Sequence, residues 1–362
     1  MTNENHSDVL PAVAVIGAGT MGRQIAALIA TSGRAVTMWD AMPEMLAAAP
    51  ERIRAETEML PSLPRYAHHQ FTIQPPADIN AMVARIRMAD SLADALGEAD
   101  LVIEAVREDL ETKRTLFAEM SRLAPDAILS TNSSSIPSSL IASSAADPGL
   151  VLNTHFFAPI WSRPMLEIMS SGETRPEVLN EVEGFGRSLG LVVAVVRGDS
   201  KGFIINRVWR AVKREALRVV DEGHADPADV DRLWMLFFGT PFGPFGIMDM
   251  VGLDVVADIE TSYQVVATDP EDKPSAILHE KVKAGRLGEK SGGGFYRHPD
   301  PEYLADGWLQ GRLQGPPWLT GGAFGAEGSA IAFVLCLAAA AVLLYLARRR
   351  RPFVAPRWRA VA

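Results

Sequence analysis

The hydrophobic pattern of this chain changes period a little past its middle. Up to about Ser200, short apolar runs alternate with stretches whose apolar positions recur every three or four residues. Residues 12–16 are uniformly apolar, as in a strand covered on both faces of a parallel sheet. Ile25, Ala26, Leu28 and Ile29 then share one face of a helix. The run RAVTMWD, ending at Asp40, predicts a second strand. From Met42 to Ile86 the pattern is helical but broken by Pro61, Pro64, Pro75 and Pro76, a helical excursion set into the sheet domain. ADLVIEAV, residues 99–106, predicts a third strand, and REDLETKRTLFAEMSRLA a helix with Leu110, Leu116, Phe117, Met120 and Leu123 inward. AILSTNSSS, GLVLNTHFFAP, RPMLEIMSS and GLVVAVVRG complete the sheet.

Beyond Ser200 strand periods stop. Ile205, Val208, Trp209, Val212, Ala216 and Val219 form one helical stripe. Asp226–Pro227 reads as an N-cap followed by an N1 proline, opening a helix that Gly239 ends; GLDVVADIETSYQVV is another helix. The pattern therefore predicts an α/β fold: a Rossmann-like, doubly wound sheet domain over residues 1–200, then a mainly α-helical domain over 201–297. Residues 298–328, rich in Pro and Gly, read as a linker, and no internal repeat is visible.

The first strand-to-helix turn carries a glycine pattern, VAVIGAGTMG, with Gly17, Gly19 and Gly22 spaced G-x-G-x-x-G. At such a turn the first glycine permits the tight bend, the second lets backbone approach a pyrophosphate, and the third lets helix and strand pack closely. The N-terminal turn of the helix, with Thr20 and Met21, faces the phosphates. Asp40, at the end of the second strand, can accept hydrogen bonds from both ribose hydroxyls and repels a 2′-phosphate, so the cofactor expected is NAD rather than NADP.

Composition narrows the field. With 362 residues, 48% hydrophobic and 22% charged, the chain can bury a sizeable core, and its net charge of −9 argues against nucleic acid as a partner. The single cysteine, Cys336, fits a reducing compartment, and no metal-ligand cluster is visible. The polar, acidic start MTNENHSDVLP does not read as a secretory signal, and the catalytic part is expected in the cytoplasm. The C-terminal end differs. Residues 330–347 carry no charge and are followed by Arg348, Arg349, Arg350, Arg351, Arg357 and Arg359. Residues 329–347 are thus a candidate transmembrane helix with a basic tail at 348–362, and membrane association through 330–347 is expected; a buried helix or an oligomer contact are the alternatives.

Strands of a doubly wound sheet deliver reactive side chains at their carboxyl ends, beside the cofactor. Three candidate ends carry such residues: Asn132 with the serines 133–135, His155 in NTHFFAP, and Glu167 in PMLEIM. His155 and Glu167, on what read as adjacent strands, can meet as a His–carboxylate pair. Oxidation of an alcohol needs a base for the hydroxyl proton as hydride leaves carbon, and an imidazole oriented by a carboxylate supplies one near neutral pH. A serine hydroxyl and an asparagine amide can hold the substrate oxygen.

The motifs VIGAGTMGRQIA, EAVREDLETK, TNSSSI, HFFAP with MLEI, GFIINR, GTPFGPFGIMDMVGLD and KSGGGFY occur in order over residues 12–297, and together they resemble the 3-hydroxyacyl-CoA dehydrogenase family. The resemblance implies an NAD domain, a helical domain that forms a homodimer, and NAD-dependent oxidation of an L-3-hydroxyacyl-CoA. It places His155 on the family's base and Glu167 on its partner carboxylate. Ser134 falls on the serine that contacts the substrate oxygen and Asn206 on the substrate-side asparagine. Gly17, Gly19, Gly22 and Asp40 fall on NAD contacts. Glu108 and Lys113 fall near the nicotinamide ribose and phosphates, with an exposed helix-start pair as the alternative, and Asn132 falls where the chain passes the nicotinamide. The sequence departs from the family at Ala158, which replaces the asparagine of H-F-F-N-P, and in IWSRP, which sets Trp161 and Arg163 near the expected substrate entrance. The excursion has Arg65 but none of the lysines suited to CoA phosphates. A free hydroxy acid or a carnitine-like compound is therefore an alternative substrate, and a non-catalytic NAD-binding protein a further reading.

Overall fold

The computed structural model describes residues 12–60, 73, 76–264 and 273–298. The chain divides into two compact units, with the break after Glu215.

The first unit is built on one eight-stranded sheet. In chain order its elements are β1 (Val13–Ile16), α1 (Thr20–Thr31), β2 (Val36–Trp39), α2 (Pro43–Glu58), α3 (Ile79–Val83), β3 (Ile86–Met88), α4 (Leu92–Leu96), β4 (Leu101–Glu104), α5 (Leu110–Leu123), β5 (Ile128–Thr131), β6 (Val151–Phe156), β7 (Met165–Ser170), α6 (Pro176–Ser188) and β8 (Val192–Val196). The strand order is β3-β2-β1-β4-β5-β6-β7-β8. All pairings are parallel except β6 with β7. Every residue of β1, β4 and β5 is buried, which is why β1 reads as an unbroken apolar run; β4 closes on Glu104 and β5 on Ser130 and Thr131, whose side chains are hydrogen-bonded inside the sheet. Ile25, Leu28, Ile53, Met82 and Phe185, from α1, α2, α3 and α6, cover one face of the sheet. Leu92, Leu96, Phe117 and Met120, from α4 and α5, cover the other. The sheet is therefore doubly wound, and the strand order reverses between β1 and β4, where such folds bind ligands beyond the strand ends.

The periodicity missed β3 and α4. β3 has three residues at the sheet edge, one of them the exposed Arg87, and α4 has five, too short for either period to register. In α5, Phe117 and Met120 are buried as expected, while Leu110, Leu116 and Leu123 are partly buried against the same core.

The glycine turn opens the reversal point. Gly17 takes φ +112°, and a Cβ there would stand 2.6 Å from the Ala105 carbonyl oxygen, so the residue serves both a left-handed turn and a close approach to the end of β4. A Cβ on Gly22 would fall 1.8 Å from the Gly17 oxygen, whereas one on Gly19, which caps α1, would meet nothing within 4 Å. Gly22 is thus needed by the fold and Gly19 by whatever occupies the open space in front of α1.

The second unit is helical: α7 (Ile205–Asp221) leads across the break into α8 (Pro227–Phe238), α9 (Pro244–Val251), α10 (Leu253–Gln264) and α11 (Ala276–Lys283). Pro227 stands in the first turn of α8 and Gly239 ends it at φ +67°. On α7 the apolar stripe is not fully covered in this single chain, since Ile205 and Val208 are exposed while Ala216 and Leu217 are buried. Two buried aspartates hold the unit together. Asp231 of α8 accepts from Phe245 N and Gly246 N at the start of α9 and from the Tyr296 hydroxyl. Burial pushes its carboxyl above the ordinary aspartate value, these hydrogen bonds pull back, and the neighbouring Asp249 charge adds to the rise. Asp249 of α9 accepts from Phe295 N, Tyr296 N and the His298 ring. A Cβ on Gly294 would lie 2.1 Å from Asp249 Oδ1, so the last glycine of SGGGFY is required because its backbone lies against a buried carboxylate.

Residues 329–347, expected as a transmembrane helix, lie outside the described residues, as does Arg65. Among the described residues no helix is long and apolar enough to cross a membrane.

The two glycines separate fold from binding by experiment. Gly22→Ala is expected to lower stability by roughly 1–3 kcal/mol through overpacking. Gly19→Val is expected to leave the melting temperature within about a degree of wild type yet weaken NAD binding tenfold or more, about 1.4 kcal/mol. Thermal melts and NAD titrations of the two variants check this, and unchanged NAD affinity in Gly19→Val would remove the glycine turn from the cofactor site.

Candidate active site

Register sets the central pair. β6 and β7 are antiparallel, with His155 opposite Glu167. Directly opposed side chains on one face of such a pair lie within reach of each other. Here His155 Nδ1 is 3.0 Å from Glu167 Oε2, with both residues buried. Glu167 does not sit at a strand's carboxyl end as expected. Because β7 runs against its neighbour, Glu167 lies near the start of β7, beside the carboxyl end of β6. The connection from Phe156 to Met165 is too short for a parallel crossover.

The second oxygen of Glu167 is also occupied. Oε1 accepts from Ile204 N at 3.0 Å and from Ile205 N at 2.9 Å, the amides that begin α7. Since an ionised carboxylate can only accept, a neutral ring facing it carries its proton on Nδ1, which donates to Oε2 and leaves Nε2 as the ring's acceptor. Phe203, at φ +55° the only non-glycine residue with positive φ among the described residues, packs its ring 4.9 Å from the His155 ring, and Phe157 lies 4.2 Å away. The strained backbone at Phe203 accompanies the turn that delivers the two amides to Glu167.

His155 lines a cavity of about 340 Å³ with Met21, Glu108, Asn132, Ser134, Phe157 and Arg163. Asn132 Oδ1 accepts from Phe156 N at 2.9 Å and so ties the end of β5 to β6 beside the histidine. The hydroxyl of Ser134 has no protein partner among the described residues. Asn206 is half-buried in the first turn of α7 and is not among the residues lining this cavity.

Glu108 anchors the serine turn. Its Oε1 accepts from Ser133 Oγ at 2.6 Å, Ser134 N at 3.0 Å, and both the amide and the hydroxyl of Ser135. Burial pushes its carboxyl up, but the Lys113 charge and the hydrogen bonds from Ser133, Lys113 and Ser135 outweigh that and hold it below the ordinary glutamate value. Lys113 is neither an exposed helix-start residue nor open to phosphates. It is 1% exposed, with Nζ 2.7 and 2.9 Å from the two Glu104 oxygens and 3.3 Å from Glu108 Oε2. Sequence patterning missed Glu104, which is fully buried at the end of β4 and also accepts from Thr131 Oγ1 and Val106 N. The one available signal was an acid closing the apolar run LVIE.

On the cofactor side, Asp40 accepts from Ala18 N at 2.6 Å and Met42 N at 2.8 Å, bracing the glycine turn from the end of β2. Arg23, also missed, is buried and joins the turn to α2, donating to the Ala18 carbonyl and to Glu56. The open space at Gly19, the start of α1 and a carboxylate at the end of β2 fit the pyrophosphate and adenosine ribose of NAD. Trp161, expected at the entrance, is instead buried in the core beside Ile160, whose amide donates to Gln24 on α1.

The comparisons with known proteins agree with this fold and its cofactor domain. Residues 12–200 match the model of the 3-hydroxyacyl-CoA dehydrogenase NAD-binding domain, and residues 202–298 match that of the 3-hydroxyacyl-CoA dehydrogenase C-terminal domain. A 3-hydroxybutyryl-CoA dehydrogenase of Mycobacterium tuberculosis is 33% identical over 81% of this chain and 100% of its own. A 5-formyl-3-hydroxy-2-methylpyridine 4-carboxylate 5-dehydrogenase of Mesorhizobium japonicum is 31% identical over 78% of this chain and 89% of its own. The crystal structure of (S)-3-hydroxybutyryl-CoA dehydrogenase from Ralstonia eutropha superposes with a TM-score of 0.72 at 28% identity, covering 80% of this chain and 100% of that one. With both domain models matched in order across a doubly wound sheet and a helical unit, the chain belongs to the 3-hydroxyacyl-CoA dehydrogenase family, NAD-dependent oxidoreductases acting on a CH–OH group.

Proposed function

We propose that this protein oxidises the hydroxyl of an L-3-hydroxyacyl-CoA to the 3-oxoacyl-CoA, with His155 as the base. The observation that carries this is the 3.0 Å contact between His155 Nδ1 and Glu167 Oε2 at a cavity that also holds Ser134. Bound NAD, held by the glycine turn and Asp40, would supply the acceptor for the hydride leaving the carbinol carbon. His155 Nε2 accepts the hydroxyl proton, Glu167 fixes the ring's orientation and tautomer and stabilises the imidazolium formed, and Ser134 Oγ holds the substrate oxygen. Asn132 and Glu108 keep the serine turn and the end of β6 in register, so the hydroxyl and the imidazole address one substrate oxygen. Asn206, at the start of α7, is assigned the substrate side from its motif, GFIINR.

The helical unit is proposed to form a homodimer. Leu233, Leu236 and Phe237 on α8 are 69%, 68% and 82% exposed in the single chain, and Val255 and Ile259 on α10 are also exposed. Apolar residues exposed on this scale mark an association surface. The occupant proposed is a second copy of the same unit, which presents the same apolar surface.

Mixing the protein with NAD and 3-hydroxybutyryl-CoA is expected to give NADH absorbance. His155→Ala should lower kcat by about 10²- to 10⁴-fold while NAD affinity stays within a few-fold, the usual scale for loss of a general base. Undiminished turnover in that variant would exclude His155 as the base. For assembly, sedimentation equilibrium should give a dimer for wild type and a monomer for Phe237→Lys; a wild-type monomer at micromolar concentration contradicts the dimer.

A further inference from the structure

The cavity that holds His155 contains one cationic side chain that the proposed mechanism does not use. Of its lining residues only Arg163 is a lysine or arginine. The one carboxylate among its lining residues, Glu108, is taken up by Lys113 and the serine turn. Arg163 is exposed, and its Nη1 donates to the Ala158 carbonyl at 2.6 Å. Its Nε and Nη2 hydrogens have no protein partner among the described residues. That free edge is the part of a guanidinium that binds a carboxylate through two parallel hydrogen bonds.

The arginine is also held in place. Arg163 N donates to the Pro159 carbonyl at 3.0 Å, and Met165 N to the Arg163 carbonyl at 2.7 Å, so the residue belongs to a closed turn. Ile160 and Trp161, just ahead of it, are buried, and the Ile160 amide is bonded to Gln24. A long cationic side chain on an anchored turn, with one nitrogen spent on backbone and a two-pronged edge free, is preorganised for an anion.

We propose that Arg163 selects a substrate bearing a carboxylate close to the carbinol that His155 deprotonates. The inference rests on the assignment of His155 as the base of this cavity. An uncharged acyl chain gives the free guanidinium edge nothing to pair with, whereas a carboxylate completes it. The carboxylate has two possible sources: a free hydroxy acid, or the far end of the acyl chain in a hydroxydicarboxylyl thioester.

The test compares three substrates with NAD: 3-hydroxybutyryl-CoA, free 3-hydroxybutyrate and 3-hydroxyadipyl-CoA. Wild type is expected to favour one of the two carboxylate-bearing compounds in kcat/KM, and which one identifies the source. In Arg163→Met the ratio of kcat/KM for that compound over 3-hydroxybutyryl-CoA should fall about 100-fold, mainly through KM, as expected for a lost charge-assisted pair. Arg163→Lys, which keeps the charge but not the fork, should recover only part of it. A second measurement needs no turnover: malonate titrated into the NAD-loaded protein should bind wild type at least about tenfold more tightly than Arg163→Met. An equal loss for all three substrates, or malonate binding that ignores the substitution, overturns the assignment of Arg163. Malonate binding that depends on Arg163, in a protein that oxidises none of the three, overturns instead the assigned reaction while the anion site stands.

Discussion

The site depends on one constraint, the antiparallel register that sets His155 opposite Glu167. A one-residue slip between β6 and β7 would send the two side chains to opposite faces of the sheet, and the pair would not exist. The register is secured on both sides. β6 is buried throughout and bonded to β5, and β7 is bonded to β8. The carboxylate is then fixed from outside the sheet by the two amides that start α7, so sheet pairing and a helix terminus together determine where the imidazole's acceptor nitrogen lies.

A second network serves the opposite wall of the cavity. Lys113 lies buried between the buried Glu104 and the rim carboxylate Glu108, at a depth where an unpaired charge costs several kcal/mol and a paired one is held rigidly. Glu104 reaches β5 through Thr131, and Glu108 reaches the serine turn, so the end of β4, the start of α5 and the end of β5 move as one. Nothing in this network requires contact with a ligand for its effect. It fixes the turn that carries Ser134 at the mouth of the reversal point, next to the glycine turn that Asp40 and Arg23 brace from the other side.

Much of this was legible in the sequence. The glycine turn, Asp40, and the strands ending at Thr131 and Phe156 showed because each depends on local spacing: a two-sided apolar strand, a turn only glycine permits, a polar residue where the strand emerges. The pairing of His155 with Glu167 was also inferred correctly, although the direction of β7 was not. That direction is written in the short connection after Phe156 rather than in any period. Glu104, Lys113 and Arg23 were misread or missed for a common reason. Amphipathic patterning assigns charges to the surface, and a buried ion pair is visible only when partners distant in sequence are brought together. Asp231 and Asp249 follow the same logic in the helical unit, where SGGGFY shows as a motif but the carboxylate that Gly294 accommodates does not.

The account stands on the claim that Glu167 fixes the His155 ring with its proton on Nδ1 and leaves Nε2 bare to receive the substrate's proton. Nitrogen-15 NMR of the histidine-labelled protein with NAD bound, its His155 signals assigned through a His155→Gln control, measures this directly. The neutral ring should show Nδ1 as the protonated, pyrrole-type nitrogen and Nε2 as the unprotonated, pyridine-type nitrogen, and Glu167→Gln should disturb that distribution. A ring protonated on Nε2 in the wild-type protein would contradict the account at its base.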